Sequence, residues 1–456
     1  MTVFEWRSPM PVRVEELFAY HARPGAFERL TPPWQKLRVV EQSGGMKDGG
    51  RMVFDVWFGP VKRRWVAELG GYVENSQFTD HQAEGPFAAW DHTHRFLPRP
   101  DGASELLDHV EYRLPAGRAA DIVGGRSATR QIERLFRFRH TRTLMDVRRH
   151  AVWAGEPRRT VAISGASGLI GTALGSYLST AGHRVIKLVR GEPVGPEEVS
   201  WDPAAGRLDP ADLAGVDAVV NLAGASISSL WTSSQRKAIM QSRVQATETL
   251  ATAIAQMDPR PAVFISASAV GAYGSSGGAA ITEESPLGGG FLADVCRAWE
   301  AAAAPVADLG VRLATPRFGI VVSGAGGAVA KMAPAFKAGA GTRLGDGNQW
   351  WSWVDLDDVL AALEWAMHDD ELSGPFNVTA PEPVSNAEFT KTLGHVLRRP
   401  AVLAAPNGVV RRGFGGMGEE MFLASQRAAP MRLNQRGFRF EFPELEPALR
   451  YELGKQ

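Results

Sequence analysis

The chain has 456 residues, which at roughly 150 residues per domain points to several folding units and excludes a mini-protein. Lys plus Arg number 50 and Asp plus Glu number 50, so no net charge gathers a polyanion and nucleic acid is not an expected partner. The 44% hydrophobic and 22% charged content suits large cores, and the lone Cys296 excludes an intramolecular disulfide, as a reducing compartment would favour.

The opening residues Met1 to Arg7 carry no basic segment followed by an apolar run, and nowhere do about 18 apolar residues follow one another. The expectation is a cytoplasmic protein with no membrane span, its oligomeric state left open. The charge is unevenly spread. Residues 1–150 hold 23 Lys/Arg against 19 Asp/Glu, the remainder 27 against 31, and seven of the ten histidines lie in the first third.

In chain order, Val3 to Trp6 reads as an opening strand, residues 12–21 as a short helix led by Pro11, and 24–30 as a second helix ending before Pro32-Pro33. Strand-like runs follow near 37–42, 51–58, 61–69, 72–84, 87–97 and 104–114, separated by Gly-Gly, Gly-Pro and Pro-Asp-Gly turns. Residues 120–149 form a long amphipathic helix with Ile132, Leu135 and Phe136 on one face. Nine Arg and three acids between 118 and 150 suggest a solvated face or a domain contact. His92 and His94 share one strand face, but no third ligand is evident beside them, so no metal is assigned.

This order of elements resembles the helix-grip fold of the START and polyketide-cyclase-like superfamily, an α+β domain over residues 1–150. The resemblance implies an apolar-ligand module whose cavity Trp34, Phe54, Trp57, Phe58, Trp65 and Trp90 would line; the other reading is that these aromatics are simply core. A linker, 151–159, follows. Residues 160–400 form the next domain with its substrate lobe, and 401–456 a C-terminal segment packing on the substrate side.

Thr160 to Ile163 is an apolar strand, then Ser164-Gly165-Ala166-Ser167-Gly168-Leu169-Ile170-Gly171 opens a helix, and Arg184 to Val189 is a second strand. In this β-α-β setting Gly165 permits the tight turn, Gly168 lets the backbone approach a pyrophosphate, and Gly171 allows close helix–strand packing. Ser167, Leu169 and Ile170 bring backbone N–H groups to the phosphates at the helix start. After the second strand stands Arg190, where an NAD site would carry a carboxylate; a guanidinium suits a 2′-phosphate. The cofactor expected is NADP, with NADPH preferred over NADH.

The glycine spacing, the run Asp217 to Gly224, Val263 to Gly274, Pro316 to Val321, Trp353 to Asp358 and Gly374 to Val378 together resemble an epimerase-like family of extended short-chain dehydrogenases, carrying nucleoside-diphosphate-sugar epimerase and SulA-like labels. The fold implied is α/β, a doubly wound parallel Rossmann sheet. The resemblance implies cofactor contacts from Leu222, Ala223, Gly224, Ser266 and Arg317. The family's catalytic Tyr and the Lys four residues later fall on Leu292 and Cys296 when aligned on Glu300, and leucine has no proton to exchange. Ser268 is then placed to hydrogen-bond a reacting carbonyl, with Ser266 as the alternative register. Tyr273 reads as a substitute acid or a structural loop closure, and Cys296 as a nucleophile or an inert buried thiol. Lys331, in the Gly-rich stretch 324–331 on the substrate side, is a candidate substitute for the missing lysine; Arg243 replaces the family's Asn and would favour an anionic small-molecule substrate, with a surface ion pair as its other reading. Two functions remain: an NADP(H)-dependent epimerase-like oxidoreductase, or an NADP(H) sensor coupled to the apolar-ligand module.

Overall fold

The computed structural model describes every residue except Ala116, and of residues 117–124 the backbone alone. The chain divides into two compact units, one mainly Met1–Glu156, the other Pro157–Leu178 with His183–Lys455.

The first unit runs β1 (Thr2–Met10), α1 (Val14–Ala22), α2 (Ala26–Arg29), β2 (Leu37–Ser43), β3 (Arg51–Phe58), β4 (Val61–Val73), β5 (Gln77–Glu84), β6 (Ala89–Pro98), β7 (Ser104–Arg113) and α3 (Gly117–Val152). Its antiparallel sheet has the order β1-β7-β6-β5-β4-β3-β2. Side chains alternate across a strand, so one face collects Phe78 from β5, Trp90 and Phe96 from β6, and Leu106, Val110 and Tyr112 from β7, all buried. Ile132 and Phe136, four residues apart on α3, join Trp90, Val110 and Tyr112 in one cluster.

Three expectations need correction. The turn placed at Gly70-Gly71 is instead a bulge within β4, where Gly71 takes a φ of +60°; β4 continues to Val73 and the reversal comes at Asn75, itself at φ 58°. Phe54, Trp65 and Trp90 do pack together, with ring centroids 5.6 Å and 5.4 Å apart along the chain of contacts. Phe58 is 41% exposed at the end of β3, and Trp57 lies under the Lys36 ammonium. The arginines of α3 are not simply a solvated face. Arg134 stacks on Trp34 at 4.2 Å, and the buried Arg142 lies over the Phe138 ring at 4.6 Å.

The second unit opens with β8 (Thr160–Ser164), α4 (Leu169–Ala181), β9 (Arg184–Val189), β10 (Glu198–Ser200), β11 (Ala218–Asn221) and α5 (Ser233–Gln256). It continues through β12 (Val263–Ser266), β13 (Ser268–Ala269), β14 (Ala280–Ile281), α6 (Phe291–Ala303), β15 (Arg312–Phe318), β16 (Ile320–Val322) and α7 (Gly327–Lys337). Next come β17 (Thr342–Leu344), β18 (Trp350–Trp351), β19 (Trp353–Asp355), α8 (Leu356–His368) and β20 (Gly374–Val378). The main sheet is parallel in the order β10-β9-β8-β11-β12-β15, with β20 beyond β15. Both faces are covered: Val161, Ile163, Leu174 and Val359 pack on one side, Ala162, Val219, Leu250 and Phe264 on the other. Strands buried on both faces read as continuous apolar runs, which is why β8, β11 and β12 were legible without alternation.

Asp355 caps α8, its Oδ1 accepting from Asp357 N at 2.8 Å. Burial, reinforced by Glu452, Asp357 and Asp358, holds its carboxyl well above the usual carboxylate range. A native-state pKa raised above the unfolded one means that stability is lost as pH climbs from the ordinary value towards the raised one. Asp355→Asn keeps the cap and removes that loss. Thermal unfolding should therefore show little difference at pH 4 and a variant more stable by a few degrees at pH 7.5; a variant less stable than wild type at pH 7.5 would contradict this assignment.

Candidate functional site: the carboxyl ends of the parallel strands

The order 3-2-1-4-5-6 places a switch point between β8 and β11, where loops leave in opposite directions and open a crevice. Gly165 stands there at φ +68°, and a Cβ on it would lie 2.7 Å from the carbonyl carbon and oxygen of Leu222. The glycine loop is thus pressed against the end of β11. Gly171 is tighter still, its would-be Cβ 2.3 Å from Gly165 O. Ser167 and Gly168 are exposed at the loop's crest, and Leu169 and Ile170 begin α4, whose first-turn N–H groups have no partner within the helix. Arg190 is exposed one residue past β9.

A buried network ties the strand ends together. Ser164 Oγ donates to Asn221 Oδ1 at 2.7 Å, and Asn221 Nδ2 donates to Thr247 Oγ1 at 2.8 Å and Ser266 Oγ at 3.4 Å. Asn221 lies within the motif run Asp217 to Gly224 but had no role of its own in the sequence reading; its place at the last residue of a buried strand was the available signal. Ser266 is internal to this network, whereas Ser268, two residues on, reaches the next one.

That second network joins Ser268, Glu300, Arg317, Tyr273 and Asn377. Arg317 donates from Nε and Nη2 to the two oxygens of Glu300, each at 2.8 Å, and Ser268 Oγ donates to Glu300 Oε1 at 2.7 Å. Burial alone would lower the Arg317 pKa, but Glu300 more than offsets it and keeps the guanidinium charged. Arg317 Nη1 donates to Tyr273 Oη at 2.9 Å, and that hydroxyl donates to Asn377 Oδ1 at 2.8 Å. Burial raises the Tyr273 pKa. A phenol with its donor and an acceptor site occupied, and its ionisation disfavoured, is poorly disposed to exchange a proton with a substrate.

Leu292 sits against Gly271, and Cys296 is buried with Sγ 3.7 Å from Ala269 O. Burial pushes the Cys296 thiol up, which disfavours the thiolate a nucleophile needs. Arg243 is likewise turned inward: Nη1 donates to Ala225 O at 3.1 Å and Ile239 O at 3.0 Å, while the guanidinium lies 5.0 Å from the Trp299 ring centroid. Any side chain at Gly224 would put a Cβ 2.9 Å from Arg243 Cζ. The loop after β11 and α5 are therefore clamped through this arginine. Lys331, exposed on α7, donates to Ser228 Oγ in the loop after β11. The preceding Gly326 approaches the Leu169 side chain, bringing the glycine-rich segment beside the start of α4. Glu420, unremarked in the sequence, accepts from Phe291 N at 2.9 Å and Leu292 N at 2.7 Å, so the C-terminal segment caps α6.

Residues 161–379 match the NAD dependent epimerase/dehydratase family, 405–452 a domain of unknown function, and 10–136 the family described as polyketide cyclase / dehydrase and lipid transport. An epimerase family protein of Mycobacterium tuberculosis is 43% identical over 292 residues, covering 64% of this chain and 96% of that protein. The chain belongs to the epimerase family. The human epimerase family protein SDR39U1 is 35% identical over 294 residues, 64% of this chain and 98% of its own length. A solved nucleoside-diphosphate sugar epimerase from Corynebacterium glutamicum covers 99% of this chain and 90% of that one, at 35% identity and a TM-score of 0.81. The human SDR39U1 structure solved with NADPH covers 64% of this chain and 99% of that one, at 32% identity and a TM-score of 0.59. This epimerase-family chain thus joins a Rossmann unit to an antiparallel-sheet unit of the polyketide cyclase type. Among the described residues no helix is long and apolar enough to cross a membrane.

Proposed function

We propose that this chain is an NADP(H)-binding, epimerase-like oxidoreductase acting on a small molecule, working without the usual tyrosine and lysine pair. The glycine loop at the switch point carries the reading, with Gly165 and Gly171 admitting no side chain. The tight turn and helix start suit a pyrophosphate, and exposed Arg190 suits the adenosine 2′-phosphate. Bound there, the nicotinamide would supply hydride transfer. Ser268 would orient a substrate carbonyl only by turning its hydroxyl proton away from Glu300 Oε1, which accepts it here at 2.7 Å. With Leu292 and Cys296 at the two key positions, repeated proton removal and return lacks its customary base, so a single reduction or oxidation fits better than full epimerisation.

The same two positions favour a second reading, an NADP(H) sensor whose companion unit holds an apolar ligand. NADPH consumption across a panel of carbonyl compounds separates them. Substrate-dependent oxidation lost in Ser268→Ala supports the oxidoreductase; tight NADPH binding with no turnover in either protein supports the sensor. Arg190→Ala should weaken NADPH about 10–100-fold, the loss expected for one charged contact, while leaving NADH binding unchanged. Equal weakening of both would remove Arg190 from the 2′-phosphate site.

A further inference from the structure

The inner face of the first unit's sheet is not wholly apolar. Asp80 on β5 pairs in register with His92 on β6, and His94 pairs with Asp108 on β7. Alternation along the strands points all four inward with Phe78, Trp90 and Phe96. His92 Nδ1 lies 2.8 Å from Asp80 Oδ2, and His94 Nε2 lies 3.5 Å from the same oxygen. One ligand atom from each of the three residues can be chosen so that all lie within 4.8 Å of one another. Ligands about 2.0–2.2 Å from a common ion stand in that range of mutual separation.

The surroundings match what metal-bound histidines require. Each ligating imidazole ordinarily gives its other nitrogen to a carboxylate, which fixes the tautomer. Asp108 occupies that position for both: Oδ1 is 3.0 Å from His92 Nε2 and 2.7 Å from His94 Nδ1, the latter off the hydrogen-bond axis. Its second oxygen is held by His140 Nε2 from α3 at 2.7 Å. With Asp108 taking the Nε2 proton, His92 turns its Nδ1 lone pair on a carboxylate oxygen, and two acceptors that close require a proton or a cation between them. Phe78 stacks on His94 at 4.2 Å and Phe136 meets His92 edge-on at 5.1 Å, lowering the local dielectric. The Asp80 side chain is 19% exposed and that of His94 12%, so the position is reachable.

We propose that the first unit binds a divalent transition-metal ion through Asp80, His92 and His94, with Asp108 and His140 as the outer shell. Two imidazoles and one carboxylate suit Zn²⁺, Co²⁺ or Fe²⁺ rather than Ca²⁺ or Mg²⁺. Three protein ligands leave coordination for water or a ligand oxygen. Neither the strand spacing nor the composition could show Asp80, which comes from the neighbouring strand. The simpler occupant is a proton on His92.

The test titrates full-length, chelator-treated protein with Co²⁺ and follows visible ligand-field absorption. The expected result is saturation at one tight equivalent, displaced by Zn²⁺ and not by Mg²⁺. Asp80→Asn and His94→Gln should each weaken it at least ~10-fold, and Asp108→Asn ~10–100-fold, with NADPH binding unchanged. Wild-type uptake no tighter than that of folded Asp80→Asn and His94→Gln overturns the proposal and leaves the proton. If those variants do not fold, anomalous diffraction from wild-type crystals soaked in Zn²⁺ decides. A peak among the three side chains supports the site, and peaks only elsewhere overturn it.

Discussion

Gly171→Ala is expected to abolish measurable NADPH binding and to lower the stability of the second unit. The added Cβ would sit 2.3 Å from Gly165 O, 2.8 Å from Ala166 Cα and 2.9 Å from Gly165 C, all backbone atoms of the glycine loop. No side chain can swing aside. Either α4 moves from the loop or the loop moves from β11, and both displace the N–H groups that would meet the pyrophosphate. Overpacking of this kind costs ~1–3 kcal/mol before any loss of binding is counted. Gly191→Ala, next to Arg190, is the control: a Cβ there meets nothing within 4 Å, so stability should change by no more than ~0.5 kcal/mol. NADPH fluorescence titration and thermal unfolding of the two variants check this. Retained affinity in Gly171→Ala would show that the loop is not the phosphate cradle.

Asp146→Ala should be the most destabilising substitution in the first unit, by ~3–5 kcal/mol, because it leaves a buried cation without its carboxylate. Asp146 Oδ2 accepts from Arg29 Nε and Oδ1 from Arg29 Nη2, both at 2.7 Å, and Tyr20 Oη donates to Oδ2 at 2.9 Å. The pair joins α2 to α3 at side chains only 1% and 0% exposed. Glu133→Ala, which removes a surface pair with Arg137 on the same helix, should change little. Denaturant unfolding followed by near-ultraviolet circular dichroism measures both. A loss below ~1 kcal/mol for Asp146→Ala would mean that Arg29 finds equivalent compensation elsewhere.

What was legible in the sequence was what depends on near neighbours. The β8 strand, the glycine loop and α4 follow one another within a single β-α-β unit, and each residue's role there is set by the turn it occupies. The order of strands and helices in the first unit was readable for the same reason. Contacts across strands and between distant helices were not. Asp80 and His92 meet through register, Arg243 and Gly224 through the approach of α5 to a loop, and Tyr273 and Asn377 across 104 positions of chain. A family likeness supplied the alignment that marked Leu292 and Cys296, but not that the neighbouring polar groups would be spent on one another. The Gly70-Gly71 pair shows the limit of local signals: the same residues serve a turn or a bulge, and the partner strand decides.

The proposed NADP(H) site is the crevice at the switch point between β8 and β11. Titrating the full-length protein with NADPH and with NADH, read by nicotinamide fluorescence, tests it most directly. Saturable binding of both is expected, with NADPH the tighter. No binding of either, or NADH bound more tightly than NADPH, would contradict it.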